Sequence, residues 1–312
     1  MTQFAFVFPG QGSQAVGMLD AWGDHPEVVR TLAEASEALG EDIAALIKTG
    51  PKEQLDLTTN TQPVMLTAGI ACYRAWIAET GLVPAAAAGH SLGEYTALVA
   101  AGALTLANAL PLVRFRAQAM QQAVPVGVGA MYAILGLEGL TVREVCLQAA
   151  AATGEVVEAV NFNDPKQTVI AGTKAGVEKA SELLKAAGAK RCLPLPVSAP
   201  FHSTLMKPAA EALKGKLATT PFGPLQFPVI NNIDVAAVSG SEALSDALYR
   251  QAFGPVRWVE VVQALKARGL NHVIECGPGK VLAGMAKRID AEIISATVFD
   301  LASLADVKVL LT

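Results

Sequence analysis

Hydrophobic positions along this chain recur in two rhythms, and the alternation between them predicts its organisation. The opening TQFAFVFPG is a short β-rich apolar run closed by a glycine turn, so a buried strand is expected to lead into a loop. Residues 26–48 switch to helical spacing through Val29, Leu32, Ala33, Leu39, Ile43, Leu46 and Ile47. Another helix is expected over about 62–79. A short run from Leu82 to Gly89 then reaches GHSLG and a helix beginning near Leu92. Four consecutive alanines make a poor strand by propensity, so that strand is inferred from the turn that follows it.

Between Pro125 and Pro200 the rhythm changes. Gly129–Gly136 reads as a strand, Val142–Ala152 as a helix, and Val156–Phe162 and Thr168–Ala171 as strands around the turn Asn163-Asp164-Pro165. Lys174–Ala187 is helical and closed by Gly188, and Lys190–Val197 is a last strand. That order, βαββαβ, predicts a small ferredoxin-like domain inserted into a larger one. The chain then resumes with a helix over 203–218, a strand at Phe227–Asn231, and helices over about 242–252 and 256–268. Strand His272–Cys276 leads through GPGK to another helix, strand Glu292–Ala296 and a terminal helix. The fold class expected is α/β: a large α/β-hydrolase-like domain with a mainly parallel sheet over 1–125 and 198–312, and the ferredoxin-like insertion over 126–197.

Composition narrows the function. Hydrophobic residues make up 52% and charged ones 17%, which excludes disorder. The net charge of −4 argues against a nucleic-acid binder, which needs a basic surface to displace counterions from phosphate. Cys72, Cys146, Cys192 and Cys276 lie far apart and form no metal-ligand spacing, which points to free thiols in a reducing cytoplasm. The N-terminus has no basic region and too short an apolar run for a signal peptide. Tyr95 to Val113 is uncharged for 19 residues, long enough to span a membrane. Gly102, Thr105, Asn108 and Pro111 interrupt it, so two buried helices joined at a Gly102 cap explain it better, and no membrane partner is expected.

The chemistry centres on GHSLG at 89–93, which matches the G-x-S-x-G turn that raises a serine between a strand and a helix. Ser91 then needs a base. Of the four histidines, His90 is adjacent to it and reads as structural, His25 begins a surface helix and His272 opens a strand. His202, in a loop just after the insertion, is left as the partner by elimination. The acids between Ser91 and His202 fall in the insertion, except Glu94, which lies one turn along the nucleophile helix. None is well placed to orient His202, so a dyad is expected rather than a triad. FPGQGSQ at 8–14 has the glycines of a dinucleotide loop without the acidic residue such a site requires. It could instead offer backbone N–H groups as half of an oxyanion hole. Arg114 and Arg116 flank one helix stripe at similar angles, and periodicity does not choose which turns inward.

GQGSQ at 10–14, GHSLGEY at 89–95, Arg116, His202-Ser203 and GPGK at 277–280 together resemble the malonyl-CoA:acyl carrier protein transacylases, over essentially the whole chain. The resemblance implies an acyltransferase of fatty acid biosynthesis in which Ser91 accepts malonyl as an ester, with His202 as its base. It implies an oxyanion hole of the Gln11 and Leu92 backbone N–H groups, and Arg116 as the partner of the malonyl carboxylate. It also implies a Gln251 backbone carbonyl that orients the histidine, with Asn161 behind the residues that touch the acyl group. The expected partners are malonyl-CoA and acyl carrier protein, with no metal and no resident cofactor, since the coenzyme A thioester is a substrate.

Charge is unevenly spread. Residues 1–60 hold three basic and nine acidic side chains, residues 164–191 six and three, and residues 266–288 five and one. Acyl carrier proteins are strongly acidic, so the two basic segments are candidate docking faces. A serine thioesterase and a non-catalytic docking subunit are the competing readings. Product analysis with and without carrier separates the first, and acyl-enzyme formation the second.

Overall fold

The computed structural model describes residues 2–197 and 199–312; the expected domain limit at residue 198 lies outside them. β1 (Phe4–Phe8) is buried at every position, and Phe4 and Phe6 pack edge-on against Trp76 at ring distances of 5.9 and 5.5 Å. The helical run expected over 26–48 is two helices, α1 (Pro26–Leu39) and α2 (Ile43–Thr49). Gly40 ends the first in the left-handed region at φ 65°, and the Asp42 side chain caps the second. His25 is not on the surface as expected: its ring accepts from Glu27 N–H as the cap of α1, and it is buried. A short α3 (Lys52–Leu55), which the pattern did not predict, precedes α4 (Thr58–Thr80). α4 is buried on nearly every side, so its sequence carries no amphipathic stripe.

β2 (Ala86–Gly89) is only the last half of the expected run. Its neighbours remove the propensity problem. β1 and an edge strand, β7 (Val229–Ile230), flank it in parallel register, and Ala87 packs on one face while Ala86 and Ala88 pack on the other. A sheet covered on both faces accepts small apolar side chains where an exposed one would not. α5 (Leu92–Ala100) and α6 (Leu106–Gln122) follow, separated by Gly102 at φ 83° and the Thr105 cap. Among the described residues no helix is long and apolar enough to cross a membrane.

Next come β3 (Gly129–Leu135), α7 (Gly139–Thr153), β4 (Val157–Asp164), β5 (Gln167–Thr173), α8 (Lys174–Ala186) and β6 (Arg191–Pro194). Their strands form a separate antiparallel sheet in the order β4-β5-β3-β6. α7 and α8 cover one face through Val142, Cys146, Val177 and Leu184, while Met131, Val160 and Ala171 on the other face pack with Phe201. The chain returns as α9 (Lys207–Thr219), β7 (Val229–Ile230), α10 (Ser241–Gln251), α11 (Trp258–Ala267), β8 (His272–Cys276), α12 (Val281–Ile289), β9 (Ile294–Val298) and α13 (Leu301–Leu311). The first sheet is parallel throughout, ordered β7-β2-β1-β8-β9. A pair of backbone bonds at 2.9 and 2.8 Å joins β4 to Val256, just before α11, a residue that packs against the first sheet.

Candidate active site

Ser91 stands between β2 and α5 with φ 52° and ψ −106°, a region an L-residue holds only when its surroundings force it. What forces it is close packing. A Cβ on Gly89 would lie 1.9 Å from the Gly93 carbonyl, and one on Gly93 would lie 2.0 Å from the Phe8 carbonyl oxygen. The turn therefore closes only with glycine at both places, and it seats α5 directly on β1. Leu92 is the first residue of α5, so its N–H has no acceptor within the helix, and Leu92 and Gln11 line one cavity.

His202 sits in the loop before α9, also at positive φ (66°), and is buried. The second sheet anchors that loop: the Glu158 carboxylate on β4 accepts from Thr204 N at 2.7 Å and from Thr204 Oγ1 at 3.0 Å. Nδ1 of His202 faces two carbonyl oxygens, Gln251 O at 2.9 Å and Gly254 O at 3.2 Å. Carbonyls only accept, so Nδ1 carries the proton and Nε2 keeps its lone pair. Nε2 lies 2.7 Å from Ser91 Oγ. Burial, with the Arg116 charge adding to it, pushes the imidazole down to about 3, which keeps it neutral with its Nε2 lone pair free. Among the described residues no carboxylate bonds this histidine; the two carbonyls take that place.

The structure also decides between the arginines. Arg116 is buried and reaches Ser91 Oγ at 3.2 Å through Nη2, which also donates to Gln251 Oε1 at 3.0 Å. Its Nη1 donates to Gln62 Oε1 at 2.8 Å, and the guanidinium lies over the Tyr95 ring at 5.3 Å. Arg114 turns away, to Glu41 at 2.6 Å and Asn60 at 3.2 Å. Asn161 lines the cavity from β4, and its Oδ1 is buried without a partner among the described residues. His90 bonds Asn163 at 2.8 Å and packs against Trp258, with no contact to the serine hydroxyl among the bonds of the described residues.

Two residues escaped the sequence reading. Glu94 does not touch His202, as expected of an acid one turn along the nucleophile helix. It is nonetheless buried, accepting from Asn232 N at 2.8 Å and Gln251 Nε2 at 3.0 Å. Burial outweighs those bonds and raises its carboxyl to about 7. Asn232 in turn accepts from Ser91 N at 2.7 Å and donates to Gly89 O at 2.7 Å. An acid embedded in the otherwise apolar LGEYTALVA was the available signal, because such a group is buried only with partners.

A serine hydroxyl that can lose its proton to a neutral histidine, beside a buried guanidinium, is equipped to form an ester with an acyl group and pair an anion next to it. The chain belongs to the acyl transferase domain family, which it matches over residues 5–299. Within that family its relatives are malonyl CoA-acyl carrier protein transacylases. The Escherichia coli K12 protein of that name is 54% identical over 93% of each chain. A crystal structure of the acyl-carrier-protein S-malonyltransferase from Burkholderia pseudomallei superposes with a TM-score of 0.96 at 64% identity, covering 98% of this chain and 99% of that one. A structure of a type II PKS acyl-carrier protein in complex with its malonyl-transacylase superposes at 0.95 with 49% identity, covering 97% and 98%.

Proposed function

We propose that this protein transfers malonyl from coenzyme A to the phosphopantetheine thiol of an acyl carrier protein, supplying fatty acid biosynthesis. One observation carries the reading: the nucleophile, the base and the cation meet at one atom, with His202 Nε2 at 2.7 Å and Arg116 Nη2 at 3.2 Å from Ser91 Oγ. Ser91 Oγ attacks the thioester carbonyl as its proton passes to His202 Nε2. The backbone N–H groups of Gln11 and Leu92 would receive the developing oxyanion. The C–S bond breaks and coenzyme A leaves with the proton. The carrier thiol then gives its proton to His202, attacks the ester, and Ser91 recovers the proton as it leaves. Arg116 pairs the malonyl carboxylate as a two-pronged donor. Gln251 holds the histidine through its backbone carbonyl, and Asn161 lies behind the acyl group. This chemistry needs no resident cofactor.

The relatives' names and the complex of a carrier with its malonyl-transacylase support the choice of acyl group and acceptor. The strand order β4-β5-β3-β6 supports a ferredoxin-like domain over 126–197, inserted into a hydrolase-like domain of 1–125 and 198–312. Four free thiols support a cytoplasmic site of action. Intact mass after incubation with malonyl-CoA tests the reading. The parent should gain one malonyl group, discharged by holo-carrier, and Ser91→Ala should gain none. His202→Ala should acylate more slowly by about 10² to 10⁴-fold, the contribution of a positioned base. Equal labelling of Ser91→Ala and parent would sink the assignment, and discharge to water rather than carrier would make the protein a thioesterase.

A further inference from the structure

Ser91, His202 and Arg116 each have a partner that is tied to one buried oxygen. Oε2 of Glu94 accepts from Asn232 N and from Gln251 Nε2. The Asn232 side chain grips the turn on both sides of the nucleophile, at Ser91 N and Gly89 O. The Gln251 amide takes the other side of the same residue, donating to Ser91 O at 3.0 Å, and offers its oxygen to Arg116. Its backbone carbonyl holds His202 Nδ1. Glu94, Asn232 and Gln251 are all buried, so no water substitutes for a lost bond.

We propose that Glu94 is the positioning residue of this site, setting Ser91, His202 and Arg116 at their mutual distances by the reach of its carboxyl group. The inference rests on the reading of Ser91 and His202 as the acyl-transferring pair. It separates two properties of the residue. Glu94→Gln keeps the reach and still presents an oxygen to both donors, while losing the charge. Glu94→Asp keeps the charge and withdraws the oxygen by about 1.5 Å, one C–C bond, so it cannot serve both arms.

Misplacing reacting groups by about 1 Å costs on the order of 10²-fold in rate. Pre-steady-state acylation at saturating thioester is therefore expected to fall about 30-fold or more in Glu94→Asp. The factor should be similar for malonyl-CoA and acetyl-CoA, with KM moved less than about twofold, because nucleophile placement is common to both substrates. Glu94→Gln should stay within about threefold of the parent. Thermal melts of each variant give the folded fraction to which rates are normalised. Parent-like acylation of Glu94→Asp overturns the inference, as does an equal loss in both variants or a loss that normalisation removes. A parent that takes up no acyl group would overturn the underlying reading as well, so the two failures are told apart.

Discussion

At the scale of single residues, Arg116 decides which acyl group the site suits. An unpaired carboxylate in a pocket closed to water costs several kcal/mol, and a guanidinium offsets that cost through two parallel charge-assisted bonds. Arg116→Ala is expected to lower kcat/KM for malonyl-CoA by about 10²-fold or more, roughly the loss of a buried charge partner, while acetyl-CoA is used as well or better. Arg116→Lys should be intermediate, because a point charge cannot reproduce the fork. Arg114→Ala should change neither, since its side chain pairs Glu41 outside the cavity. Equal losses for both thioesters in Arg116→Ala would make the residue structural. Periodicity reached the pair of arginines and stopped, because both flank one helix stripe, and only the family resemblance pointed to Arg116. The choice depends on which side of α6 meets Gln62 and Gln251, from segments 54 and 135 residues away.

At the scale of elements, the glycine-flanked turn, the helix starts and most strand positions were legible because each is a local steric or capping statement. The splitting of 26–48 at Gly40 and Asp42 was legible too, in the glycine and the cap, but helical spacing on both sides masked it. The first turn of α4, which begins at Thr58, and the short extent of β2 were not, since burial on all sides erases the alternation that marks where an element starts. Burial also leaves a testable mark at the end of β8. Glu275 is fully buried, and its carboxylate accepts from Ala283 N at 2.8 Å in the first turn of α12. Burial nonetheless raises it from 4.5 to about 7. A carboxyl raised in the folded state binds more protons there, so stability declines as pH rises from about 4.5 through about 7, by an amount on the order of 3 kcal/mol. Glu275→Gln lacks that decline. Its melting temperature relative to the parent should therefore rise between pH 5 and pH 8, and a constant offset would show that the group titrates normally.

At the scale of the whole molecule, the two basic segments meet. Arg288, near the end of α12, bonds Asp164 at the end of β4 at 2.7 Å, bringing the segments around 164 and 288 to one place. Other charges there are partly neutralised, as in Lys166 with Glu138 and Lys266 with Asp290 and Glu292. Lys287 is exposed next to Arg288 at this junction, and Lys280 is exposed at the other end of α12. If an acidic carrier docks here, Lys280→Glu with Lys287→Glu should raise the KM for carrier several-fold and steepen with falling salt, as exposed charge contacts do. Acylation by malonyl-CoA should be unchanged, and an unaltered carrier KM would move the docking face elsewhere. By itself the sequence determined the alternation of strands and helices, the βαββαβ order, the serine at its turn and the candidate histidine, because these follow from periodicity, glycine sterics and the count of available bases. Only the tertiary structure brought Arg116 to Ser91 and turned Arg114 away, added the Gly254 carbonyl to that of Gln251 behind His202, and showed that Glu94 and Asn232 tie the site together. Those outcomes depend on which buried polar groups from distant segments are left to satisfy one another once the sheets are packed, and no local pattern encodes that pairing.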